Sequence, residues 1–258
     1  MSFATLAITL LFVLIPLILS KTLHLGLGKD MTIATVRSII QLLAIGYVLQ
    51  LIFDQQHIVY IFLMVALMIG TATLNARKKG SQIDGITWKI AITLLIIEVI
   101  VMSILLGFHV VPATAQYIIP LSGMAIGNSM VLTILFLNRF TAEIDAHETE
   151  VELILSLGGT PKQAIHRQLT SAIKASMLPT IESQKTIGLV QLPGMMSGQI
   201  IAGADPIQAV MFQLLVLFIL LTTASVSSVL LGYLSYRQLF NHRMQILTEK
   251  IFQTIKSR

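Results

Sequence analysis

The chain has 258 residues, 55% of them hydrophobic and only 11% charged, with a net charge of +5. An ordinary soluble domain carries about 25% charged residues, so neither water nor one buried core can accommodate this much apolar surface, and the bilayer is the solvent that fits. Cysteine is absent, which excludes a disulfide framework and a thiolate metal site.

A spanning helix needs about 20 mainly apolar residues. In chain order, seven segments qualify: Phe3–Ser20, Ser38–Phe53, Gln55–Ala76, Ile90–Phe108, Ala113–Asn138, Thr186–Ala204 and Pro206–Tyr236. The second is short, and its start is expected nearer Thr32. The first has no basic stretch before it and no small-x-small site after it, so it reads as a retained helix rather than a signal peptide. The expected fold is an all-α, polytopic helical bundle forming a single transmembrane domain over residues 1–258.

With the N-terminus outside, the inside segments are 21–37, 77–89, 138–185 and a basic tail, 237–258. Together they hold all 17 Lys and Arg residues, and the outside connections near Asp54–His57, His109–Gln116 and Gly203–Pro206 hold none. Basic residues favour the cytoplasmic side, so the pattern predicts an N-out, C-in protein. The basic excess thus sets topology in lipid and argues against a nucleic-acid partner.

The longest inside segment contains VELILSLGGTPKQAIHRQL (Val151–Leu169). Span five is expected to continue into water as a helix bearing Glu143, Asp145, Glu148, Glu150 and Glu152. Gly158-Gly159 would stop it, because glycine accepts the left-handed conformation at helix ends. Thr160 suits an N-cap and Pro161 the first helical position. Ile165, Leu169, Ala172 and Ile173 then share one face, with Lys162, His166 and Arg167 off it, and Leu178-Pro179 ends or kinks the helix. The pattern predicts a short helix parallel to the membrane. On spacing alone it could lie on lipid, connect two spans, or dock in a groove of a soluble partner.

The run from Glu152 to Gln163, followed by Leu178-Pro179, resembles the coupling-helix signature of ABC transporter permeases. Leu192–Pro206 (LPGMMSGQIIAGADP), with Ile119–Met130 (IPLSGMAIGNSM), is similar to the FetB family of permeases, which is linked to iron export and includes relatives associated with aluminium tolerance in plants. The resemblance runs from Gly28-Lys-Asp onward. Ser197 and Ala202 stand where that family often has Thr and Gly, and both remain small. The resemblance implies a permease subunit of an exporter of metal cations, iron above all. Its segment around 150–180, with Glu152, Gly158, Gly159, Thr160, Pro161, Gln163 and Arg167, would engage a separate cytoplasmic ATPase (FetA-like). This chain has no G-x-x-x-x-G-K-[ST] loop; Gly26-Leu-Gly-Lys-Asp lacks the spacing and the hydroxyl. No cofactor is therefore expected on it, and ATP and Mg belong to the partner. No catalytic constellation is present, so the chain is expected not to be an enzyme. One copy is too small to enclose a path with two docking elements, which predicts a homodimer.

Glu98 is the one ionisable residue expected deep in a span. It could attract a cation, carry a proton, or tie helices together by hydrogen bonding. Asn128, Gln41, Gln191 and Gln199 are candidates for the substrate path or for interhelical hydrogen bonds. Pro193 frees a carbonyl between the last two. Gly194 and Gly198, like Gly123 and Gly127, have the G-x-x-x-G spacing of close helix contacts, so these two segments could pack together. Met195 and Met196, with Met124 and Met130, offer thioethers but also fill apolar packing. Glu143 and His147 at i,i+4 could share a metal, as could Glu148 and Glu152; a solvated face or contact with the ATPase is the plainer reading. The rival functions are a proton-coupled secondary transporter or channel using Glu98, and a structural scaffold.

Overall fold

In a bilayer the peptide groups have no water to bond, so an apolar run must satisfy its own N–H and C=O groups as a helix. The computed structural model describes residues 9–55, 57–79, 83, 85–241 and 244–246. Among them the long apolar runs are helical, with one exception. The chain divides into two units, Met1–His57 and Ile58–Arg258.

The first unit holds α1 (Leu11–Thr22) and α2 (Gly28–Gln55), joined by a turn with His24 and Gly26 at positive φ. Residues 3–8 of the expected first span lie outside the described residues. The second span is longer than its apolar core suggests: α2 begins at Gly28 and carries Lys29, Asp30 and Arg37 within the helix.

The second unit contains α3 (Ile58–Ala76), α4 (Ile86–Gly107), α5 (Ala115–Ala146), α6 (Glu148–Ser156), α7 (Pro161–Ala164), α8 (His166–Thr186), α9 (Gly194–Ile201) and α10 (Pro206–Ser235). Short 3-10 turns follow α3 (Arg77–Lys79) and α10 (Tyr236–Leu239). Five helices among the described residues are long and apolar enough to cross a membrane: α2, α3, α4, α5 and α10, with α3 and α10 extended by their turns. The protein is an all-α, multi-pass membrane protein. Of the basic tail, Arg243, Lys250, Lys256 and Arg258 lie outside the described residues.

Ile90, Leu94, Ile97, Val101 and Leu105 bury one stripe of α4 at spacings of three and four. That stripe packs on α5, which also packs on α3, α8 and α10. Burial of apolar groups gains little when the surroundings are lipid, so polar contacts and close fit matter more. Asn128 Nδ2 on α5 donates to Thr223 Oγ1 at 2.8 Å and to the Leu220 carbonyl at 3.3 Å on α10. Gly232 is where three helices meet: a Cβ there would lie 2.8 Å from Leu169 Cδ1 and 3.2 Å from Phe136 Cζ. Phe136 in turn stacks on Phe140, with ring centroids 5.3 Å apart.

The exception is the expected sixth span. Thr186–Ala204 is not a helix across the layer: it holds the end of α8, a non-helical stretch from Ile187 to Pro193, and the eight-residue α9. The long helix lies earlier, in α8, whose sequence is polar. Leu169 meets Gly232, the hydroxyls of Ser176 and Ser228 are 2.8 Å apart, and Gln184 Nε2 donates to the Leu217 carbonyl at 3.0 Å. The numbers rise on α8 as they fall on α10, so α8 runs antiparallel beside α10. Two expectations change as a result. The segment after Ile165 is not a short helix lying flat, because it packs lengthwise in the bundle. Pro179 does not end it: α8 runs through to Thr186. Lys185, assigned by its charge to the inside connection, sits one residue from the level of Leu217.

Candidate functional site

The end of the bundle at which α5 and α10 finish is the charged end. Lys89 Nζ donates to Gln238 Oε1 there, joining the start of α4 to the turn after α10. α5 does not run straight through to Ser156. His147 leaves helical geometry, at φ −122° and ψ 25°, and α6 starts at Glu148.

α6 then ends in a doubly bonded stop. The Gly159 N–H donates to the Ile154 carbonyl at 2.9 Å and the Gly158 N–H to the Leu155 carbonyl at 3.0 Å, the two bonds of a Schellman motif. Each glycine has its own reason. Gly158 is at φ +87°, and a Cβ on Gly159 would lie 2.8 Å from the Ile154 carbonyl oxygen. The next helix begins at once. Gln163 N–H donates to Thr160 Oγ1 at 3.4 Å, and Thr160 N–H donates to Gln163 Oε1 at 2.9 Å. This is a reciprocal capping box, with Pro161 at the first position. A short α7 follows, and Ile165 interrupts the helix before α8.

The module buries one side and shows the other. Val151, Ala164, Ile165 and Leu169 enter the core. Glu152, Thr160, Lys162, Gln163, His166 and Arg167 face outward. Lys162 Nζ stands 5.6 Å above the Tyr233 ring, and Arg167 pairs with Glu150 at 3.2 Å. A cleft of about 440 Å³ opens beside Glu152, Ser156 and the two glycines, with Met244–Ile246 on its other side. Sequence reading missed the most exposed apolar group here: Leu157 is 80% exposed and Leu153, four residues earlier, 58%. Their spacing off the inward stripe of buried Val151 and partly buried Ile154 and Leu155 was the available signal. Gln168 was also missed. It is 1% exposed, and neither amide atom has a hydrogen-bond partner among the described residues.

Deeper in the bundle, Glu98 on α4 is buried. Its Oε1 accepts from Ser122 Oγ on α5 at 2.5 Å, and its Oε2 has no partner among the described residues. The hydrogen-bonding reading is therefore realised for one oxygen and leaves the other open. Asn128 is engaged with α10, as described above. Met195 and Met124 pack against the apolar cluster that includes Ile97, Leu121 and Ala125. Met196 and Gln199 are half-buried on α9, and Gln191 is exposed. Gln41 lies exposed on α2 in the other unit. The path candidates are thus not gathered into one site within the second unit.

One expectation is corrected. A Cβ on Gly127, Gly194 or Gly198 would meet nothing within 4 Å, and one on Gly123 would only touch Met68 at 3.7 Å. The two G-x-x-x-G segments therefore do not pack together; α9 lies against α10, and the close approach falls at Gly232. Glu143 and His147 stand side by side on α5 and at its end: His147 Nδ1 lies 3.7 Å from Glu143 Oε2 and 2.9 Å from the Glu143 carbonyl oxygen, and Glu143 also pairs with Arg139 at 3.0 Å. No group of three or more metal-binding side chains occurs among the described residues.

Comparison with known proteins places this geometry in a family. Residues 3–240 match UPF0014, described as an uncharacterised protein family. The UPF0014 membrane protein YjkA of Bacillus subtilis is 54% identical over 95% of this chain and 98% of its own length. The probable iron export permease protein FetB of Escherichia coli is 36% identical, covering 96% of this chain and 95% of itself. Protein ALUMINUM SENSITIVE 3 of Arabidopsis thaliana is 34% identical over 94% and 89%. No protein of solved structure matches.

Proposed function

This chain belongs to the UPF0014 family, and from that premise we propose that it is the membrane permease of an ABC-type exporter of metal cations, iron foremost. The observation that carries the reading is the module at Val151–Arg167. Its backbone ends are closed by the Schellman bonds and the capping box, its apolar stripe is anchored in the bundle, and Leu157 projects outward. A protein that only threads between two spans needs no such rigid projection. The likeness to the probable iron export permease protein supports both the coupling and the cargo.

In this reading the module faces the cytoplasm and docks on a separate ATPase, which holds ATP and Mg, and two copies of the chain pair around the path. Differential contact with the ATPase biases the bundle between inward and outward access. The buried, half-satisfied Glu98 favours a second reading, a proton-coupled transporter that needs no ATPase.

Proteoliposomes loaded with Fe²⁺ and carrying the chain with or without co-expressed ATPase separate the two. Export should require both proteins and ATP, and Leu157→Asp or Arg167→Glu should release the ATPase on purification while the permease stays folded. ATP-independent flux by the chain alone, abolished in Glu98→Gln and driven by a pH gradient, would establish the second reading instead.

A further inference from the structure

α8 carries charge where the fold puts lipid depth. α10 has 30 residues, Pro206–Ser235. A hydrocarbon layer takes about 20 helical residues, and a layer centred on the span Pro206–Leu239 takes in Leu217. Gln184 bonds the Leu217 carbonyl, and α8 runs antiparallel, so Glu182 is level with the middle of α10. Glu182 and Lys185 point away from the bundle: their side chains are 58% and 62% exposed, and they pair at 2.6 Å.

Exposed charges at that depth are not left to lipid; such residues face a water-filled cavity or a protein interior. A second feature points the same way. The chain from Ile187 to Pro193 leaves helical form just beyond Lys185, and Leu189 and Val190 there are 91% and 84% exposed. Non-helical backbone at bilayer depth is tolerated only where protein covers it or water reaches it. A carboxylate, an ammonium and an irregular backbone on one face of one element have a common solution.

We infer that the outward face of α8, from Glu182 to Thr186, lines the water-filled path between two copies of the chain, and that Glu182 is its cation-binding carboxylate. Lys185 is the resident counter-ion: its ammonium neutralises Glu182 when the path is empty, and an arriving metal cation displaces it. Glu98, buried on α4 and bonded to Ser122 on α5, is not on this face. The inference rests on the paired-permease reading for the opposite wall of the path.

The absence of cysteine makes the test direct. Ser183→Cys and, as a lipid-facing control near the level of Glu98, Val99→Cys are introduced singly into the full chain in native membranes. They are treated with a membrane-impermeant thiosulfonate. Ser183→Cys is expected to react at least about tenfold faster than Val99→Cys. Fe²⁺ alone should slow that reaction, Glu182→Gln in the same chain should remove the protection, and Lys185→Gln should lower the Fe²⁺ concentration needed. Labelling at Ser183→Cys no faster than at Val99→Cys, or Fe²⁺ protection indifferent to Glu182→Gln, overturns the assignment. ATPase retention, measured on the same preparations, reports separately on the ABC reading, because the labelling needs no ATPase.

Discussion

Two of the breaks between helices in the second unit are built in opposite ways. At Leu157–Thr160 the backbone groups freed by the end of α6 and the start of α7 are taken up within a few residues, by two glycine N–H bonds and a capping box. At Ile187–Pro193 the chain makes do with less. The N–H groups of Leu189, Val190 and Gln191 crowd onto the single carbonyl of Thr186, and α9 starts at Gly194 with Pro193 at its N-cap and no side-chain cap. The first break is hardened and has one geometry to offer. The second keeps backbone groups available, and α9 beyond it lies against α10. A part that transmits force to a partner gains from the first construction, and a part that a solute passes gains from the second.

Substitutions can break or sharpen this contrast. The largest effect is expected at Gly159→Ala, whose Cβ would sit 2.6 Å from Ile154 Cγ2 and 2.8 Å from a backbone oxygen that cannot step aside. It should cost about 3 kcal/mol, the upper end of overpacking penalties, read as a fall in melting temperature by size-exclusion in detergent. Gly194→Ala and Gly198→Ala point into open space within a helix and should be neutral or stabilising by up to about 1 kcal/mol. The contrast fails if their order is reversed. Gly232→Ala comes next, at about 1–2 kcal/mol, because the nearer of its two obstacles is the end of the Leu169 side chain, which can shift. Thr160→Ala should lose about 1 kcal/mol with the cap, and Thr160→Ser should restore it. Arg167→Gln breaks an exposed pair with Glu150 and should change stability by well under about 1 kcal/mol.

Most of the charged-end module was legible. Gly158, Gly159, Thr160, Pro161 and Gln163 each have a local role that spacing reveals, because caps are satisfied by residues three or four positions away. The five long apolar helices were legible for a related reason: lipid leaves an apolar run one backbone solution. The sixth span was misplaced because hydropathy alone was followed. Thr186–Ala204 is apolar but contains Gly188 at φ +86° and Pro193, whereas α8 runs on as a helix through Pro179 and carries Lys174, Glu182 and Lys185. Helical state at depth there depends on neighbours that only the fold supplies. The same holds for Gly232, whose crowding comes from residues 63 and 96 positions earlier, Leu169 and Phe136. No local pattern marks it, while Gly127, Gly194 and Gly198 of the conspicuous G-x-x-x-G pairs face open space.

The unbroken run of α8 has a mechanical side. Its 21 residues make a lever of about 32 Å at 1.5 Å per residue, with the capped knob at one end and the open break at the other. Pivoting at its middle by about 10° would swing each tip by nearly 3 Å, roughly the width of a water molecule. In the proposed transporter, modest rocking at the knob would thereby be enough to widen or shut a narrow passage at the far tip, with no need for any helix to unwind.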